Sequence, residues 1–211
     1  MADERLVFIV DDDARVCNSL TNLLGSLGMA SLAFGSANEY ISYRKPDSIA
    51  CLLLDIDLPD IDGLTLQQQL VGLDHPPIIF ITGNGDIPST VQAMKAGAVD
   101  FLAKPFRQDK LVPAIEEAFV RHAKARIEQA EMRDLRMRFS RLTPREREVL
   151  PLVVSGLLNK QAAAELGISE ITCQVHRGQI MRKMAAGSLA DLVRMASKLE
   201  IPLPITVGTM Y

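Results

Sequence analysis

Residues 50–60 read ACLLLDIDLPD, an uncharged run that ends abruptly at an acid. The run Ala50–Leu54 is too short for a helix and shows no polar alternation, so it reads as a strand buried on both faces, as in a parallel sheet. Outward from it, Leu6–Val10, Ile78–Thr82 and Val99–Leu102 have the same form and end in acids, Gly, Thr or Lys, while Ala30–Phe34 is a weaker fifth. Between these runs, Ala14–Leu27, Ala37–Arg44, Leu64–Leu70 and Pro88–Ala96 have helical spacing. Val16, Leu20, Leu23, Leu24 and Leu27 recur at three and four, and Gly28 supplies a stop. Strand and helix in alternation predict a doubly wound, five-stranded parallel α/β sheet. Ligands of such sheets bind beyond the carboxyl ends of the strands.

The chain has 211 residues, 48% hydrophobic and 23% charged, which excludes disordered and collagen-like classes. Mean hydropathy is +0.13, yet no apolar run approaches the ~20 residues that a membrane span requires. The start, Met1–Glu4, carries two acids where a leader would be basic, so no signal peptide is expected. Cys17, Cys51 and Cys173 are an odd count without metal-ligand spacing, which points to a reducing, cytoplasmic setting. The net charge of -3 conceals a division. Residues 1–120 carry 8 Lys+Arg against 17 Asp+Glu, and residues 121–211 carry 15 against 9. The acidic part suits cations or a basic partner, and the basic part suits nucleic acid.

From Gln108 to about Phe139 the pattern is continuously helical, with Pro113 near its start. Ile115, Ala118, Ala125 and Met132 trace a heptad seam that His122, Gln129 and Arg136 interrupt. Residues 121–139 therefore read either as a solvated linker helix or as a short dimeric coiled coil. Beyond them, Thr143, Pro144 and Glu146 form a helix start with a capping box, and Gly156 ends that helix. Asn159–Leu166, the turn at Gly167, and a helix capped by Ser169 and running to about Met184 give a helix-turn-helix. Ser188–Leu199 is a fourth helix, so residues 140–200 are expected as an all-α domain and 201–211 as a flexible tail.

Chemistry concentrates at the strand ends. Asp11 and Asp12 follow the first strand and Asp55 the third, where a parallel sheet brings them together. Two like charges ~4 Å apart cost about 4 kcal/mol at an effective dielectric of 20. Either their pKa values rise or a cation enters, and all-oxygen donors suit magnesium, with manganese as a substitute. Lys104 follows the fifth strand and Thr82 ends the fourth. An ammonium and a hydroxyl aimed at a metal-bound carboxylate can neutralise and orient a phosphoryl group for attack by Asp55. Acids do cluster in polar loops without any such role. The set VDDD at 10–13, LLLDIDLPD at 52–60, ITG at 81–83 and AKPF at 103–106 is too ordered for that explanation.

With these motifs residues 5–120 resemble the receiver domain of a two-component response regulator. Residues 140–199, with LTPREREVL, NKQAAAELGIS and VHRGQIMRKM, resemble the LuxR-type helix-turn-helix domain. Together they resemble the FixJ/NarL family of transcription factors. The resemblance implies that Asp55 accepts a phosphoryl group from a sensor histidine kinase. Asp12 would bind magnesium directly, Asp11 would act through water, and the backbone carbonyl of Asp57 would be a further ligand. It also implies that Lys104, before a cis Pro105, contacts the phosphoryl group and that Thr82 and Phe101 form a switch pair. Partners would be double-stranded promoter DNA, a second copy on phosphorylation, and RNA polymerase. Asp13, Asp60 and Asp62 are read as loop-solvating acids, Asp62 also as a cap for the third helix.

In the second helix of the motif Thr172, Gln174, Val175, Arg177 and Gly178 are placed on or near the outward face, with Ile171, Ile180 and Met184 spaced to pack inward. Gln174 can read adenine and Val175 can touch a thymine methyl, whereas Lys160, Thr172, Arg177, Arg182 and Lys183 suit phosphates. Many relatives carry Lys or Glu at the place of Gln174 and a basic or small residue at that of Gly178, so a preferred sequence does not transfer. Cys173 reads as a core residue in preference to a redox sensor, and His176 as a structural hydrogen-bonding group. His75 and His122 have no Ser or Cys constellation, so no triad is read.

Two rivals remain. Asp55-Ile56-Asp57 resembles the nucleophile motif of haloacid-dehalogenase-like phosphatases. Those enzymes want Thr or Val where Pro59 stands and a downstream acidic pair, whereas Asp11 and Asp12 are upstream. The other rival is a phosphorylation-independent DNA-binding regulator whose receiver only dimerises. The expected protein is a phosphoacceptor transcription factor and not a turnover enzyme.

Overall fold

The computed structural model describes residues 5–83 and 87–203, and the expected tail lies outside the described residues from position 204 onward. The chain forms two compact units, Met1–Arg126 and Ile127–Tyr211. The first contains β1 (Arg5–Val10), α1 (Ala14–Ser26), β2 (Ala30–Phe34), α2 (Ala37–Ser42), β3 (Ile49–Asp55), α3 (Gly63–Leu70), β4 (Ile78–Thr82), α4 (Ile87–Lys95), β5 (Asp100–Ala103) and the start of α5 (Gln108–Ser140). All strand pairs are parallel, in the order β2-β1-β3-β4-β5.

Because β3 is covered on both faces, Ala50 to Leu54 are all buried. Leu52 and Leu54 point into one core layer with Phe8, Tyr40 and Phe80. Cys51 and Leu53 point into the other with Ile79, Leu24 and Ile115. Each such leucine contributes roughly 1.5–3 kcal/mol by burial. The strand order leaves a switch point between β1 and β3, and the register pairs Val10 with Leu54. Asp11 and Asp55, the next residues, therefore emerge side by side, and Thr82 pairs with Ala103 so that Lys104 follows on the same edge.

Of the seam on α5, Ile115 and Ala118 prove to be core, whereas Ala125 and Met132 are only half-buried. Ile115, Ala118, Phe119 and His122 recur at three and four and are buried against the sheet. Nothing local in the sequence announces this for His122, which stands among Arg121, Lys124 and Arg126. The ring Nδ1 accepts a 2.8 Å hydrogen bond from the Ala50 N–H at the start of β3, which fixes the neutral tautomer with its proton on Nε2. Burial, supported by the Arg126 charge, pushes the His122 pKa below its ordinary value near 6.5.

The second unit holds the end of α5, then α6 (Pro144–Val154), α7 (Asn159–Leu166), α8 (Glu170–Met184) and α9 (Leu189–Lys198). Residues 121–139, read as linker, are divided between the units. His122 packs in the first, and Leu135 packs in the second with Leu142, Leu150, Ile180 and Leu192. Thr143 and Glu146 form the capping box of α6. Gly167 ends α7 in the left-handed region at φ 65°, and Ser169 caps α8 through the Thr172 N–H. Cys173 is fully buried in this core, and burial pushes its thiol up, away from the reactive thiolate. Ile171 departs from the inward placement expected of it: it is 75% exposed, while Ile180 and Met184 are buried.

Replacing His122 by Leu should lower the stability of the first unit by about 1–3 kcal/mol, because the Ala50 N–H loses its acceptor. In the parent chain the depressed His122 pKa adds stability that is fully present above about pH 6.5 and is lost as pH falls through the folded pKa. Urea titrations from pH 7 to 5 should show a shallower acid loss in the variant. Equal slopes would exclude this role.

Candidate functional site

At the carboxyl edge of the sheet Asp11, Asp12 and Asp55 each offer an oxygen within 4.8 Å of the others. Asp11 and Asp55 are buried and Asp12 is exposed. The Lys104 ammonium reaches both buried acids, donating to Asp11 Oδ2 at 2.5 Å and lying 3.3 Å from Asp55 Oδ2. Its position follows from the backbone, since the Lys104 N–H donates to the Thr82 carbonyl at 2.7 Å and a cis Lys104–Pro105 bond follows. Asp11 Oδ1 accepts from the Asp13 N–H and Asp55 Oδ1 from its neighbour Ile56 N–H, both at 3.0 Å.

Burial pushes the Asp55 carboxyl above the usual range, with the Lys104 charge working against that rise and Asp11 adding to it. Desolvation opposes the Lys104 ammonium, but the Asp11 hydrogen bond and the charges of Asp55 and Asp11 outweigh it and hold the pKa up. Three carboxylates and one ammonium still leave an excess of negative charge. An all-oxygen donor set with one exposed member suits a hard divalent cation.

Thr82 is fully buried at the end of β4. Phe101 is half-buried, with its ring 6.3 Å from that of Phe80. The Asp57 side chain is exposed and lies outside the carboxylate cluster. An apolar cleft of about 350 Å³ adjoins Lys104, lined by Val16, Leu20 and Leu23 of α1 and by Pro105 and Phe106.

The acids read as solvating the loops have more definite places. Asp13 caps α1 through the Arg15 N–H, and its hydrogen bonds with the Arg15 side chain and backbone hold its pKa at about 2. Asp62 caps α3. Asp60 accepts from the Ala37 and Asn38 N–H groups and so caps α2 from 22 residues away, a pairing no local pattern could show. Gly63 was also not singled out by the sequence. A Cβ there would stand 2.4 Å from the Asp55 carbonyl oxygen, because the loop folds back until the Gly63 N–H donates to Ile56.

In the second unit Lys160, Thr172, Gln174, Val175, Gly178 and Arg182 are exposed. Two cations expected at phosphates are engaged internally. Arg177 is half-buried and donates to Asn159 Oδ1 at 3.1 Å. Lys183 donates to both oxygens of buried Glu146, at 2.9 and 2.7 Å. Burial works against the Glu146 carboxylate, yet Lys183 and the Thr143 N–H hold its pKa below the usual range. Lys183 thus ties α8 to the cap of α6. Arg138 of α5 donates to the Met184 carbonyl at 3.1 Å, which closes the same, carboxyl end of α8.

Two family descriptions match this arrangement: the response regulator receiver domain over residues 7–116 and the luxR family of bacterial regulatory proteins over residues 140–196. The chain belongs to the FixJ/NarL-type response regulators. Nodulation protein W of Bradyrhizobium diazoefficiens is 52% identical over 93% of this chain and 87% of its own length. The response regulator protein TodT of Pseudomonas putida is 43% identical over 92% and 86%. Among solved structures, the response regulator StyR matches 92% of this chain and 99% of its own at 45% identity, with a TM-score of 0.78. This response regulator therefore couples a receiver domain to a LuxR-type DNA-binding domain in transcription control. No helix among its described residues is long and apolar enough to cross a membrane.

Three outcomes are expected of single substitutions. Gly63→Ala should displace the end of β3 and unfold the first unit at lower urea, with Asp62→Ala, which removes only a cap, costing about 1 kcal/mol. Lys183→Met should cost stability of the second unit by about 1–3 kcal/mol while leaving the salt dependence of DNA binding unchanged. A salt slope lowered by ~0.9 in that variant would return Lys183 to the phosphate contacts.

Proposed function

We propose that Asp55 accepts a phosphoryl group from a sensor histidine kinase in a magnesium-dependent reaction, and that this controls sequence-specific DNA binding. The observation that supports it is the Lys104 ammonium held between Asp11 and Asp55 at the switch point of the sheet. Asp11, Asp12, Asp55 and the Asp57 carbonyl would hold the divalent ion, which supplies positive charge to the phosphoryl oxygens. Manganese, with the same preference for oxygen, would substitute. Asp55 forms the new P–O bond as the donor's N–P bond breaks, and Lys104 turns from the carboxylates to the transferred oxygens. The apolar cleft beside Lys104 offers a kinase surface on which to dock.

Phosphorylation adds about 1.5 to 2 negative charges. Thr82 then donates to a phosphoryl oxygen, and the ring of Phe101 turns inward toward Phe80. Ile87, Val91 and Met94 form an exposed apolar face on α4, which a second copy would cover. A dimer presents two α8 helices to the half-sites of a promoter, with Lys160 and Arg182 on phosphates and RNA polymerase as a further partner. The setting is the cytoplasm.

Incubation with acetyl phosphate and magnesium should add one phosphoryl mass to the protein and none to Asp55→Asn, and chelation should abolish the gain. Asp55→Asn should bind promoter DNA no more tightly than the unphosphorylated parent at equal salt. Asp57→Asn should change the lifetime of the phosphoryl group, because its side chain lies two residues past the acceptor. An unlabelled parent chain that still binds DNA would favour the receiver as a dimerisation module only.

A further inference from the structure

We infer that α8 reads an A·T core through thymine methyl groups, with Ile171 a specificity-determining residue beside Val175. The inference rests on the DNA-binding reading above and deepens it. One exposed isoleucine is ordinary on a protein surface; the place of Ile171 is what marks it. At 100° per residue Ile171, Gln174, Val175 and Gly178 fall within an arc of about 100°. The buried stripe of Cys173, Ile180 and Met184 lies on the far side of the helix. Ile171 and Val175 are 75% and 55% exposed and stand at i and i+4, so their branched side chains are neighbours in one apolar strip.

The strip occupies the first turns of α8, the part of a recognition helix that meets base edges. No cation shares it. Guanine is read chiefly by Arg or Lys, and the nearest candidates are elsewhere. Arg177 is turned to Asn159, and Lys183 to Glu146. Arg182 lies on the same face but roughly 16 Å farther along the axis, with its guanidinium on Gln179. Glu170, at the helix start, lies outside the arc beyond Gln174, where its charge suits the helix N-terminus. What remains is an apolar pair, an amide that matches adenine, and Gly178, at which even a Cβ would meet only open space. That combination complements T and A: branched carbons on the C5 methyl groups, Gln174 on adenine N6 and N7, and no side chain at Gly178 to hold the helix off the groove.

The test uses the full chain treated with acetyl phosphate and magnesium, and a pool of random-sequence duplexes. Selection should enrich half-sites with adjacent A·T pairs. Replacing their thymines singly by deoxyuracil should weaken binding about fourfold per methyl removed at the two contacted positions. Ile171→Ala should bind the thymine duplex about as weakly and become indifferent to uracil at one of them; Val175→Ala should do the same at the other. Circular dichroism should match the parent, since the side chains are exposed and Ala favours helix. Arg182→Ala should instead weaken every duplex alike and lower the salt slope. Enriched duplexes with a G·C core, or indifference of the parent chain to uracil, would overturn the assignment and leave DNA binding intact. Failure to enrich any duplex would overturn both.

Discussion

The first unit is organised around one electrostatic constraint: two buried carboxylates, Asp11 and Asp55, share a single ammonium. Neither acid could be left in the sheet edge alone, since an uncompensated buried charge costs several kcal/mol. Lys104 meets both, and everything that places it is backbone. Thr82 holds its N–H, the register of β4 with β5 sets its height, and the β1–β3 adjacency puts its two partners within reach. The arrangement is stable but unfinished. The third acid, Asp12, is exposed, and the excess negative charge makes the edge a receptor for positive charge before it can receive a phosphoryl group.

A buried ion pair has a different task in the second unit. Glu146 completes the cap of α6 and accepts Lys183, so the charge that ends one helix also anchors another. With Ser169 at its start, Arg138 on its last carbonyl and Cys173, Ile180 and Met184 in the core, α8 is held at both ends and along one side. With Lys183 and Arg177 used internally, the opposite side carries no cation over its first turns, from Ile171 to Gly178, and Arg182 follows only farther along. Basicity in this part of the chain is therefore a poor map of DNA contact: some of its cations maintain the domain, and the exposed Lys160 and Arg182 are the ones that the proposed scheme assigns to phosphates.

Features set by periodicity and short-range chemistry are legible in the sequence itself. The uniform apolar run at 50–54 specified a two-sided strand, and the Thr143/Glu146 box and Ser169 marked helix starts within the spacing at which they act. Carboxylates converge because parallel strands end on one edge, so the cluster too followed from order along the chain. Pairings that skip elements were not legible. His122 meets Ala50 and Asp60 caps α2 only because the sheet and loops bring them together. Gly63 was missed because its requirement comes from the nearness of the Asp55 carbonyl, which no neighbouring residue type reveals. Ile171 was misplaced for a related reason: its three-residue offset from Gln174 fits an outward face as well as Ile180 fits an inward one, and hydrophobicity alone chose wrongly.

That misplacement bears on how the receiver could govern the DNA-binding unit. A bidentate Arg–guanine contact discriminates by about 1–3 kcal/mol, whereas a methyl against an aliphatic side chain gives roughly 0.8 kcal/mol. In the proposed scheme, two methyl contacts from Ile171 and Val175 and one bidentate amide from Gln174 give roughly 3–5 kcal/mol in a single unit. That is the low end of the ~4–10 kcal/mol that separates specific from general DNA binding, and phosphate contacts through Lys160 and Arg182 would add affinity without sequence. Selection among sites then depends on summing two faces. In the proposed scheme that sum is available only when the apolar α4 face of one copy is covered by another. With one unit at that low end, the receiver state would be decisive in this scheme: a monomer would dwell on DNA generally, and the dimer would separate a promoter from its background.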